Sequence, residues 1–176
     1  MAPCTISLIS SRTTSTQRAH FAIFVPSASD SDTGTLIHVF GAPMVGYKLE
    51  FKRNYPIAMI REPYTRHQIG QIDTQYIADT SDSVQRDDSI PRGIIELVAS
   101  QVPPPRISQN FMAPVNETTN KRCQEWTMEY VRRLVQLGYI DASAVQVVQS
   151  LRDPPTHGIG LQPVGRGLGS SGGAAQ

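Results

Sequence analysis

The sequence predicts an α+β fold, a small antiparallel sheet with helices packed on it. Three observations carry this expectation. Short runs rich in β-branched and aromatic residues fill the first half, separated by polar, turn-forming stretches. The longest amphipathic helical pattern lies in the second half. Gly and Pro number 13 each among 176 residues, so much of the chain must turn or run as loop. That length suits one domain with a substantial core.

Residues 1–17 are rich in Ser and Thr and read as a flexible lead-in, although the alternation of "TISLIS" permits a strand. "HFAIFVPS" (His20–Ser27) and "GTLIHVFG" (Gly34–Gly41) then predict strands near residues 20–26 and 35–41, a hairpin across "ASDSDTG". "YKLEFKR" alternates apolar and polar, as a half-buried strand over 47–53 should. "HQIGQIDTQYI" (His67–Ile77) is expected to supply another strand or two, and "DTSDSVQRDD" reads as a polar loop. In "IPRGIIELVASQV" a proline in the first turn and apolar residues at helical spacing predict a short helix. "PPPRISQNFMAPVNETTN" must run over the surface.

The stretch "NKRCQEWTMEYVRRLVQLG" is the best helix in the chain. Cys123, Trp126, Tyr130, Val131, Leu134 and Leu137 share one face. Thr118, Thr119 or Asn120 is expected to cap its start, and Gly138 to end it. A last helix follows, capped by Asp141, packed through Ala144, Val145, Val148 and Leu151, and stopped by Pro154-Pro155. Residues 18–156 thus form the single domain, and 157–176 a flexible Gly-rich tail.

The charge balance is even, 16 Lys+Arg against 15 Asp+Glu, so no basic excess exists to neutralise phosphates and no nucleic-acid partner is expected. No apolar run approaches the roughly 18–20 residues of a membrane span, so no integral membrane segment is expected. The start of the chain shows no basic n-region, and two cysteines make neither a disulfide framework nor a zinc motif. The expectation is a cytoplasmic protein without cofactor or metal.

Cys123 falls in the first helical turn, where the helix dipole and the neighbours Lys121 and Arg122 favour a thiolate. A buried, inert thiol is the alternative. A base is available in either of two strand histidines. His20, Ala22 and Phe24 share one face of their strand, and Leu36, His38 and Phe40 one face of the next. Positions 20 and 38 have the same parity, so an antiparallel register such as Ala22 opposite His38 puts both imidazoles on one face, where a packed helix can deliver Cys123. His67 is a spare, and His157 lies in the tail, where nothing is expected to hold it.

"HFAIFVPS", "LIHVFGA" and "RCQEWTMEYV", in that order, resemble the circularly permuted papain-like thiol enzymes. Among these the chain is most similar to the lecithin:retinol acyltransferase-like branch of the NlpC-type superfamily, and the PPPDE thiol peptidases share the plan of His first and Cys late. The branch carries an Asn-Cys-Glu-His-Phe motif. Here Arg122 stands before the Cys, and Glu125-Trp126 replaces His-Phe. The resemblance implies Cys123 as nucleophile, His20 as general base and His38 as the second, orienting histidine. It also implies a thioester intermediate formed from an amide, ester or thioester, with a small-molecule or peptide acyl substrate. The Cys123 backbone N–H would serve the oxyanion, joined by Gln124 or Gln68. The expected function is a soluble hydrolase or acyltransferase; the alternative is a non-catalytic binding module on the same fold.

Overall fold

A computed structural model describes residues 2–78 and 82–159. It is an α+β fold. The strands are β1 (Cys4–Ser11), β2 (His20–Pro26), β3 (Thr33–Ala42), β4 (Gly46–Pro56), β5 (Tyr64–Ile72) and β6 (Arg86–Asp88). The helices are α1 (Ile94–Ser100), α2 (Cys123–Gln136) and α3 (Ser143–Leu151). The strands form one antiparallel sheet in the order β5-β1-β2-β3-β4-β6. Among the described residues no helix is long and apolar enough to cross a membrane.

The sheet has two unlike faces. Ile6, Leu8, Phe21, Ile23, Val25, Ile37, Val39 and Phe51 pack beneath Trp126, Tyr130, Leu134 and Val148 in the main core. Ile9, Ala22, Phe24, Leu36 and Ile57 form a smaller cluster on the other face. This is the period-2 alternation of strands set against the period-3.6 face of α2. Trp126 and Tyr130 are fully buried, and each polar tip has a partner: indole Nε1 donates to Val102 O at 2.9 Å and the Tyr130 hydroxyl to Ile95 O at 2.8 Å.

The lead-in expected over residues 1–17 is corrected here. β1 lies inside the sheet between β5 and β2, with Ile6 and Leu8 fully buried. Its serines and threonines alternate with those apolar residues, so polarity on one face concealed a core strand. The polar loop after residue 78 also yields a strand, β6, whose Asp88 accepts from Arg53 Nε at 2.9 Å.

The cap of α2 differs as well. Its N-cap is Arg122, in extended conformation with no side-chain cap. Asn116 instead takes the N–H groups of Thr118, Thr119 and Asn120 in a turn of its own. Gly138 ends the helix at φ +77°, the left-handed region open to glycine. Asp141 caps the turn into α3 by accepting from Ser143 N–H at 2.8 Å.

Candidate active site

β2 and β3 pair with Ile23 opposite Ile37, and the ladder runs from there to Pro26 and Gly34. Extended the other way, this register sets Ala22 against His38. Both imidazoles therefore leave the same face, and they meet: His20 Nε2 lies 2.8 Å from His38 Nδ1, the rings edge to face. On the neighbouring strand Glu50 sits directly opposite His38 and accepts from its Nε2 at 2.9 Å.

The order of these bonds assigns the protons. Hydrogen bonding from His38, with Lys52 Nζ 3.2 Å away, outweighs burial and holds the Glu50 carboxyl below its ordinary range. A carboxylate only accepts, so His38 donates through Nε2. When the His38 ring carries this one proton, its Nδ1 accepts and His20 donates to it through Nε2. The remaining nitrogen, His20 Nδ1, then keeps its lone pair and is the free acceptor at the end of the chain. Burial is the first cause that pushes His20 down to about 3, followed by Coulombic repulsion with the His38 imidazolium, were both rings to take a proton, and with Lys52. The imidazole is thus neutral at rest.

Cys123 opens α2 beside the start of β2. Its sulfur lies 3.8 Å from Ala19 O, and the Phe21 N–H acts to favour its thiolate. The sulfur is therefore set against the two residues that flank His20. Among the described residues no hydrogen bond joins Cys123 to His20 or His38. The helix does not share the histidines' face: α2 packs on Phe21, Ile23 and Val25, whereas His20 belongs with Ala22 and Phe24. Thiol and imidazole therefore lie on different faces, both near the end of β2 where its pairing with β3 stops.

The thiolate expected from the helix dipole is also corrected. Burial pushes the Cys123 thiol up to about 11. The adjacent cations are engaged elsewhere. Lys121 pairs with Glu129 at 2.9 Å, and Arg122 donates to Phe111 O and Gly158 O. Arg18, ion-paired to the fully buried Glu125 at 2.9 Å, favours the thiolate, and the Arg122 charge also interacts with it.

Neither glutamine serves as an oxyanion donor in this geometry. Gln124 is fully buried, and its amide nitrogen is committed to Ala19 O and Asp153 Oδ2 at 2.9 and 2.8 Å. Gln68, on β5, lines a cavity of about 590 Å³ with Cys4, at the other end of the sheet. The Cys123 backbone N–H, first in its helix, has no intrahelical partner. His67 bonds Thr65 on β5. His157 is held after all, its Nε2 3.1 Å from Arg12 Nη1.

A second cavity, of about 380 Å³, opens on the side of the histidines. His20, His38, Lys52 and Tyr55 line it over Ile9 and Leu36. Among the described residues no group of three or more His, Cys, Asp or Glu is placed to hold a metal ion.

A family model described as a family of unknown function (DUF6540) matches residues 6–141. The chain belongs to this family. The DUF6540 match contains His20, His38, Glu50 and Cys123, together with all six strands except the first residues of β1. It ends before α3 and the segment that follows it. No curated protein and no solved structure matches the chain.

Proposed function

We propose that this protein is a cysteine-dependent hydrolase or acyltransferase with the circularly permuted papain-like arrangement, acting through a thioester on an amide, ester or thioester. One observation carries the reading: the hydrogen-bonded chain Glu50–His38–His20 ends at the residue whose two neighbours hold the Cys123 sulfur. Such a chain orients an imidazole and supports it once it gains a proton.

The mechanism is general-base and not ion-pair catalysis, because thiol and imidazole are both neutral at rest. Substrate closes the gap between them, as often happens when a free site tightens on binding. Cys123 Sγ attacks the carbonyl carbon while His20 Nδ1 takes the thiol proton. A C–S bond forms, and the carbonyl π electrons move to oxygen, which the Cys123 N–H stabilises. Collapse breaks the bond to the leaving group, which takes the proton from His20. Water or another acceptor, deprotonated by His20, then adds to the thioester carbonyl; collapse breaks the C–S bond, and the departing Cys123 sulfur takes the proton from His20. The two free cysteines suit a reducing compartment, and the reading places the enzyme in the cytoplasm.

The second reading is a binding module that keeps the fold without turnover. The high thiol pKa and the missing sulfur–imidazole hydrogen bond favour it. p-Nitrophenyl acetate, with peptide mapping by mass spectrometry, separates the two. The enzyme reading expects an acetyl group on Cys123, formed slower by about a hundredfold in His20→Ala. Acetylation that ignores His20, or that falls on Cys4 equally, supports the binding module.

A further inference from the structure

The segment after α3 makes contacts that the mechanism above does not use. Asp153 Oδ2 accepts the Ala19 N–H at 2.8 Å and Gln124 Nε2 at 2.8 Å. Its Oδ1 accepts from Arg12 Nη2 at 2.8 Å, and its own N–H donates to Gln124 Oε1 at 2.9 Å. Gln124 completes the ring by donating to Ala19 O at 2.9 Å. Ala19 immediately precedes His20, and Gln124 immediately follows Cys123. One carboxylate thus joins the strand that bears the base to the helix that bears the thiol.

The surrounding contacts reinforce the join. Pro154 O accepts from Arg18 Nη1 at 2.8 Å, and His157 reaches Arg12. Burial works to raise the Asp153 carboxyl, but its hydrogen bonds from Ala19, Arg12 and Gln124 hold it below the ordinary range. These donors converge on two oxygens, and only an ionised carboxylate accepts from all of them. An asparagine would turn its NH2 toward at least one donor.

We propose that Asp153 is a positioning residue of this site: by binding Ala19 and Gln124 on one carboxylate it sets the spacing between Cys123 Sγ and His20. The proposal rests on the thiol–imidazole reading above, and it lies beyond the residues matched by the family model.

The test couples two substitutions. The parent chain, Asp153→Asn and Asp153→Glu are each combined with His20→Ala, and acetylation of Cys123 by p-nitrophenyl acetate is timed by peptide mass spectrometry. Iodoacetamide labelling of Cys4, at the far end of β1, reports on the fold. His20→Ala should slow Cys123 by about a hundredfold in the parent. In Asp153→Asn it should slow it less than about threefold. Asp153→Glu should restore part of the dependence, and Cys4 labelling should be unchanged throughout. An equal His20 dependence in parent and Asp153→Asn overturns the positioning role and leaves the thiol–imidazole reading standing. Faster Cys4 labelling in Asp153→Asn assigns the residue to general folding and overturns it too. Absence of any His20 effect in the parent refutes the thiol–imidazole reading, and this proposal with it.

Discussion

Glu50 fixes the direction of its hydrogen bond with His38, whose Nε2 must donate to it. Glutamine at this position both donates and accepts, so it no longer dictates which nitrogen of His38 carries the proton. Glu50→Gln should therefore slow Cys123 acetylation by about tenfold or more with the fold intact by circular dichroism; an unchanged rate would remove Glu50 from the chain. His20 also links the site to stability. Its folded value of about 3 lies below the ordinary 6.5, so the unfolded chain binds a proton that the folded chain refuses. The stability it contributes is complete above about 6.5 and is lost as pH falls toward about 3, with a slope of up to about 1.4 kcal/mol per pH unit. The depressed carboxyls of Glu50, Asp88 and Asp153 act with the same sign at lower pH. Between pH 6.5 and 5 the urea midpoint should fall in the parent and stay flatter in His20→Gln; parallel curves would contradict the buried, neutral imidazole. Strand parity made a shared face for His20 and His38 readable in any even-sum register, and the resemblance implied their contact. Glu50 carried the same signal, an even position in "YKLEFKR", but alternation there marked only a half-buried strand. The thiol's titration was not readable, because the helix dipole is visible in a sequence and the burial that outweighs it is not.

β1 shows how composition misleads where alternation informs. The Ser and Thr content of the first 17 residues suggested a lead-in, while Ile6 and Leu8 on one face and Ile9 on the other supply the middle of the sheet. Leu8→Ala should cost about 2–5 kcal/mol in urea unfolding, the range for truncating a buried leucine. Removal of residues 1–15 should abolish cooperative folding, since it strips β5 and β2 of their shared partner; a cooperative transition near the parent's would show β1 to be dispensable. The strands at 20–26, 35–41 and 47–53 and α2 were readable because each keeps one period over its whole length. β6 was not. It is three residues long and held by Arg53, which is fully buried and forms a two-bond pair with Glu96 at 2.9 Å. Long-range ion pairs of this kind leave no periodic trace. Arg53→Met should cost about 3–5 kcal/mol by stranding the Glu96 charge. Restoration of stability in the Arg53→Met, Glu96→Gln double variant would confirm that cause.

Segments far apart in the sequence meet beside the site. The turn after β1, the start of β2, the first turn of α2 and the segment after α3 share one hydrogen-bond network through Arg12, Arg18, Gln124 and Asp153. A chain stopped after Leu151 loses that network and should melt lower by at least about 5 °C. An unchanged Tm would show the network to be ornamental to the fold. In the proposed reaction neutral His20 deprotonates neutral Cys123 during attack. The pH dependence of single-turnover acetylation of Cys123 by p-nitrophenyl acetate tests it most directly. His20 is unprotonated above about 3 and the thiol protonated below about 11, so the reactive pair is fully populated between those values. The account predicts a logarithmic rate that is flat between about pH 5 and 9 in the parent and depends on His20. A rate that climbs about tenfold per pH unit across that range, unchanged by His20→Ala, would mean that free thiolate does the work, and would contradict it.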